Sequence, residues 1–262
     1  MEYAMKFGMP TLLECKDLFT SCEVASQNGL DFVEINMSFP QYLPSALDAR
    51  RVREEAGRLG LTFTIHADEQ LNPFDFNKSV SECYFGVMRD TIRFALEIGA
   101  SVINMHLLKG VYVTLPDRVV LLNDVYRGEY LERVDEFIKM CEKEIGDGEL
   151  KIAIENVDSN PFTESQLDAI SHLMKSDKFA LTLDTGHELC LNFCDSHVFE
   201  EYPQKLIHMH LHDAIVRSSH LPLGEGCVNV REKLSMLGDS GTCLIEVKNV
   251  EGLKKSIEYL KM

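Results

Sequence analysis

The sequence has no run of about 18 apolar residues, the length a membrane-spanning helix needs, and this excludes a helical transmembrane protein. It is also short of cations. Lys and Arg number 26 against 42 Asp and Glu, a formal charge of −16. Such a chain repels nucleic acid and anionic membranes at long range. A small anionic substrate is not excluded, because bound cations reverse the local field. The eight cysteines form no dense disulfide framework, and a chain of 262 residues has no need of one. All are expected as reduced thiols, with the C-x3-C pair Cys190 and Cys194 on one helical face. The opening MEYAMKFGMP lacks the basic start and long apolar core of a secretory signal, so a cytoplasmic location is expected. Linkers rich in Pro, Gly or Ser are missing, which argues for one domain over 1–262. No Gly-rich phosphate loop follows the first predicted strand, and this disfavours an open doubly wound sheet.

What is present is regular alternation. Strand patterns fall near 5–9, 31–36, 61–66, 101–106, 150–155, 178–184, 206–212 and 242–247. Helical patterns run over 12–28, 44–59, 77–99, 126–145, 163–176, 188–202, 228–237 and 250–261. Eight βα units in a chain of this length predict an α/β fold, a (β/α)8 TIM barrel. Strand parity sharpens the prediction. Leu61, Phe63 and Ile65 oppose Thr62, Thr64 and His66, and Ile152 and Ile154 oppose Ala153 and Glu155. Phe179, Leu181 and Leu183 oppose Ala180, Thr182 and Asp184, and Cys243, Ile245 and Val247 oppose Thr242, Leu244 and Glu246. Side chains alternate across a strand, so the apolar set faces the helices and the polar set faces the barrel axis. Segment 107–127 exceeds a minimal βα connection and is read as an active-site loop or lid.

His66, His106, Glu155, Asp184, His210 and Glu246 each close one of these strands. His187 follows Asp184 by three residues and His220 follows His210 by ten. Barrel active sites sit at that carboxyl end. Buried carboxylates and imidazoles need compensation, which a divalent cation supplies. The mixture of oxygen and nitrogen donors suits zinc, manganese or iron better than calcium. Glu34 shares parity with Phe32 and Asn36 and is a candidate for binding a substrate hydroxyl or, equally, a structural carboxylate. His208 lies deeper and is expected to hydrogen-bond in the core. Asp213 is a candidate for orienting a ligand from behind.

The motifs GLDFVEIN, TIHAD, NMHLLKG, IEN, LDTGH, HMHLHDA, HLPLGEG and IEVKN, in this order and spacing, resemble the xylose-isomerase-like barrel superfamily. That superfamily contains sugar isomerases and epimerases and the endonuclease IV type of AP endonuclease, and the resemblance covers almost the whole chain. It implies a metal held by Glu155, Asp184, His210 and Glu246, with the two glutamates as the acid/base pair. It also implies substrate contacts from His187 and, on looser spacing, Arg217. The endonuclease IV pattern adds His66 and His106 for a second metal and His187 and His220 for a third. Its third site has an aspartate where this chain has Ser218, which puts the third metal in doubt; one site is expected, with a second plausible. DNA is disfavoured as substrate. Non-specific binding takes roughly 6–10 phosphate contacts, and the predicted mouth offers only Lys109, Arg118, Arg217 and Lys248. The expectation is therefore a zinc- or manganese-dependent isomerase or epimerase of a sugar or sugar phosphate. A phosphodiesterase of the endonuclease IV kind comes second and a barrel that binds metal and sugar without turnover third.

Overall fold

The computed structural model describes residues 5–238 and 241–261; residues 1–4 of the amino-terminal stretch discussed above lie outside them. Eight parallel strands close into a barrel in sequential order: Lys6–Pro10, Phe32–Asn36, Thr62–His66, Val102–His106, Lys151–Glu155, Phe179–Asp184, Leu206–Leu211 and Thr242–Ile245. Helices cover the outside, at Leu18–Gln27, Ala49–Leu59, Lys78–Ile98, Arg127–Ile145, Glu164–Leu173, Thr185–Cys190, Ser196–Glu201, Val230–Met236 and Val250–Leu260. This is the (β/α)8 TIM barrel. No helix among the described residues is long and apolar enough to cross a membrane.

Parity organises the interior. Phe63, Ile65, Ile152, Ile154, Leu181, Leu183, Cys243 and Ile245 are buried between sheet and helices, each apolar side chain of this size contributing about 1.5–3 kcal/mol. Inside the barrel the lowest layer is small and apolar: Val102, Ala153 and Ala180, with Ile207 packed against them. The ring of Phe32 fills the space beside Gly8, where a Cβ would lie 2.4 Å from it. Above this plug the inward positions turn polar.

Local signals set the helix ends. Asp17, Asp48 and Asn77 cap three helices with their side chains, and Thr163 and Gln166 form a reciprocal capping box. Asp17 also corrects the first helical pattern, which starts at Leu18 rather than at 12. The pattern over 188–202 is two short helices, because Asn192 and Phe193 adopt positive φ values of 52° and 61° and break the run. Cys194 therefore lies outside the helix that carries Cys190. Segment 107–127 contains a hairpin, Tyr112–Thr114 with Val119–Leu121, then a single helical turn at Leu122–Val125. A second hairpin, Asp213–Ile215 with Ser218–Leu221, follows the seventh barrel strand. In that strand Leu206 pairs with Leu181 but His208 pairs with Thr182, so Ile207 is an extra residue bulged out of register.

Candidate metal centre at the barrel mouth

Four carboxyl-end residues from the fifth to eighth strand units converge. One donor atom from each of Glu155, Asp184, His210 and Glu246 lies within 4.8 Å of the other three. His210 Nδ1 is 3.0 Å from Glu155 Oε1, 3.0 Å from Glu246 Oε2 and 3.9 Å from Asp184 Oδ2. Three carboxylates this close repel one another unless a positive charge lies between them. His210 Nδ1 and Glu246 Oε2 are buried and have no hydrogen-bond partner. Unpaired buried polar atoms are costly, and a cation of the zinc or manganese kind would satisfy both. The donor set thus fits the metal that the sequence implies.

Glu155 faces two ways. Its Oε1 belongs to the cluster above, while Oε2 accepts from Asn104 Nδ2 and lies 3.1 Å from His106 Nε2 and 3.4 Å from His66 Nε2. His66, His106 and Glu155 form a second group of donors. His66 Nδ1 donates to the Ala67 carbonyl at 2.8 Å, which turns Nε2 toward Glu155.

Asp184 is fixed from every side. Its backbone N–H donates to Asn156 Oδ1 at 2.8 Å, and its carbonyl accepts from Asn156 Nδ2 at 3.0 Å. Oδ1 accepts the His187 backbone N–H at 2.7 Å, capping the short helix that follows. His212 Nε2 donates to Oδ2 at 3.0 Å, and His212 Nδ1 accepts the His220 backbone N–H at 2.8 Å. Gly186 makes room for this ring, since a Cβ there would fall 2.0 Å from His212 Cε1.

The electrostatics follow from burial and crowding. Burial opposes ionisation of Glu155, but His210 and His106 beside it hold the carboxyl well below the usual range. Glu246 is held down in the same way by His210, His220 and Lys248, against burial. Burial works against a charge on His210, yet Glu155, Glu34 and Glu246 lift it well above the ordinary imidazole value. His66 is pushed up to about 9 because Glu155 outweighs its desolvation.

Above the cluster opens a cavity of about 680 Å³. His66, His106, Glu155, His187, His220 and Glu246 line it, together with Asn36, Gln70, Asn72, Lys109, Asp158, Ser159 and Asn160. Lys109, Gly110 and Val111, at the start of the long fourth loop, form part of its wall. His187 Nδ1 is 3.1 Å from the Asn156 carbonyl. His220 has φ 60° and Nε2 3.2 Å from Glu246 Oε1. The rings of His187 and His220 are 5.4 Å apart. His212 completes that group, but both its nitrogens are engaged, and Ser218 stands where a third ligand is expected.

Of the other two expected substrate contacts, one lies away from the cavity and one lies at its floor. Arg217 is at the exposed turn of the second hairpin, with φ 75°, and is not part of the cavity wall. Glu34 reaches the cavity floor, but only 1% of it is exposed and its carboxylate touches Thr64, His208 and His210. Asp213 also differs from expectation. It accepts the backbone N–H groups of Ala214, Gly224, Gly226 and Val228, all at 2.9 Å, and so folds the LGEG turn onto the barrel. Asn104 and Asn156 were missed as site residues. Parity with His106 was the available signal for Asn104.

The profile of a family described as xylose isomerase-like TIM barrel matches residues 22–262. An uncharacterised protein of Methanocaldococcus jannaschii, MJ1311, is 29% identical over 276 aligned residues, covering 98% of this chain and 88% of that protein. A D-tagatose 3-epimerase-like protein of known structure is 28% identical and superposes with a TM-score of 0.76, over 98% of this chain and 96% of that one. The IolI protein, whose crystal structure holds a zinc atom, shares the fold with a TM-score of 0.74 at 17% identity, over 98% and 95% of the two chains.

Proposed function

The chain belongs to the xylose isomerase-like TIM barrel family, and from that premise we propose that it is a divalent-metal-dependent isomerase or epimerase of a sugar or sugar phosphate. The observation that carries this reading is the convergence of Glu155, Asp184, His210 and Glu246 donors within 4.8 Å beneath a polar cavity. The oxygen and nitrogen donors suit zinc or manganese, and the zinc atom of the IolI protein supports the same choice. A metal held by these four residues would supply Lewis acidity to a substrate carbonyl and so acidify the C–H of the adjacent hydroxyl-bearing carbon.

The chain's own residues then handle the proton. Glu155 and Glu246 are held ionised, as a base must be. They come from different strands. The ionised one takes the proton from carbon, and the other, once it has taken up a proton of its own, delivers that proton to the opposite face, which inverts the centre. Asn104 steadies Glu155, while His220 and Lys248 steady Glu246. Because His187 turns Nδ1 to the Asn156 carbonyl, its other nitrogen is left for a substrate hydroxyl. The amides and hydroxyl of Asn36, Gln70, Asn72, Ser159 and Asn160 suit a polyol. The similarity to a D-tagatose 3-epimerase-like protein supports the same substrate class.

One observation favours a second reading. The His66, His106 and Glu155 group offers a place for another cation beside the first, and paired metals suit phosphodiester cleavage. The net charge of −16 opposes a DNA substrate. The experiment is solvent deuterium exchange into a panel of ketoses and their phosphates, by the native protein and by Glu155→Gln. Native exchange abolished in Glu155→Gln is the expected result. Normal exchange in the variant removes Glu155 as base, and cleavage of abasic duplex DNA at ordinary salt without any exchange promotes the second reading.

A further inference from the structure

Glu34 lies beneath the donor cluster, on the second barrel strand beside Thr64. Its carboxylate is buried, and its two oxygens have different tasks. Oε2 accepts the Thr64 hydroxyl at 2.9 Å and lies 3.2 Å from His208 Nε2. His208 Nδ1 is in turn 2.6 Å from Thr242 Oγ1. A lone pair on His208 Nε2 would point at an anion, so Nε2 carries the proton and the Thr242 hydroxyl donates to Nδ1. With Oε2 so engaged, Oε1 is left for His210, whose Nε2 lies 3.2 Å away, at ion-pair distance and with no other hydrogen-bond partner.

The same reasoning fixes His210. In a neutral imidazole one nitrogen holds the proton and the other a lone pair. Set against Glu34, the lone pair would repel the carboxylate in a buried interior, where such repulsion is poorly screened. The alternative puts the proton on Nε2, facing Glu34, and the lone pair on Nδ1, which sits 3.0 Å from both Glu155 Oε1 and Glu246 Oε2. Because Glu34 is 1% exposed, water has little access to replace it.

We propose that Glu34 is a positioning residue that sets the tautomer of His210, presenting Nδ1 to a cation held by Glu155, Asp184 and Glu246, and that Thr64, His208 and Thr242 hold Glu34 in turn. This rests on the reading of that cluster as a metal centre. It replaces the substrate-contact role that parity alone allowed for Glu34. Carboxylates behind a ligating imidazole fix its orientation and raise its basicity, and their loss weakens metal binding about 10–100-fold.

The test is zinc affinity, measured by competition with a chelating dye, in the native chain, Glu34→Gln and Thr64→Val. Glu34→Gln is expected to bind zinc about 10–100-fold more weakly, because one amide oxygen cannot serve three donors. Thr64→Val, which leaves Oε1 facing His210, is expected to bind within a few-fold of native. Nitrogen-15 NMR of the zinc-loaded native protein is expected to show His210 protonated on Nε2 and slow to exchange; this readout requires no variant to fold. Native affinity in Glu34→Gln, or a His210 coordinated through Nε2, overturns the positioning role alone. A native chain that takes up no zinc overturns the metal-centre reading beneath it as well.

Discussion

Replacing Glu246 with Gln keeps the shape of the donor cluster and removes one of its three negative charges. Deleting one partner from a buried charged set costs about 3–5 kcal/mol. Glu246 keeps 15% of its side chain exposed, so the loss belongs at the lower end, on the order of 100-fold in metal affinity. Consider free metal at about 1,000 times the native dissociation constant. Binding then adds about 4.1 kcal/mol to native stability, and in the variant about 1.4 kcal/mol. For a chain of this size each kcal/mol moves the melting temperature by about 2–4 °C. Thermal unfolding with and without zinc or manganese is therefore expected to shift by about 8–16 °C in the native protein and about 3–6 °C in Glu246→Gln. Without metal the variant also loses the pairs of Glu246 with His210, His220 and Lys248, so each shift is read against that protein's own metal-free melting temperature. Equal metal-induced shifts in the two proteins would refute Glu246 as a ligand.

Three further outcomes follow from the geometry. His66 is raised from 6.5 to about 9 in the folded chain, so its pairing with Glu155 stabilises the metal-free protein fully below about pH 6.5 and is lost as pH rises through about 9. Melting of chelator-treated protein should accordingly fall across that window, and His66→Asn should flatten the fall; a native curve already flat there contradicts the pairing. Combined His66→Ala and His106→Ala should delete a second, weaker binding step from a calorimetric zinc titration and keep the first, whereas unchanged stoichiometry would show that these histidines hold no ion. Gly8→Ala drives a Cβ to 2.4 Å from the Phe32 ring, an overpacking worth about 1–3 kcal/mol, and a melting temperature within a degree of native would argue against that packing.

The barrel was legible because its strands repeat one short-range rule. Alternation placed His66, Glu155, Asp184 and Glu246 on the inner face, and the structure brings these side chains to one mouth. Depth was less legible than direction. Glu34 has the correct parity, but its partner across the ladder is Thr64, two residues before His66, and this sets it under the cluster. The bulge at Ile207 has no signature in an apolar-polar pattern, because it arises from pairing with a neighbour. Asp213 gave no local hint of its role either, since the N–H groups it collects lie up to 15 residues further along the chain. The break at Asn192 and Phe193 was hidden inside residues that read as helical.

The plug at the bottom of the barrel has a kinetic consequence. With Phe32 wedged against Gly8 and small side chains closing the layer around Val102, the interior is a blind well. Whatever enters the rim must back out the same way. Two isomers interconverted at its floor would queue for one doorway, so accumulating product would slow turnover by occupancy even far from equilibrium.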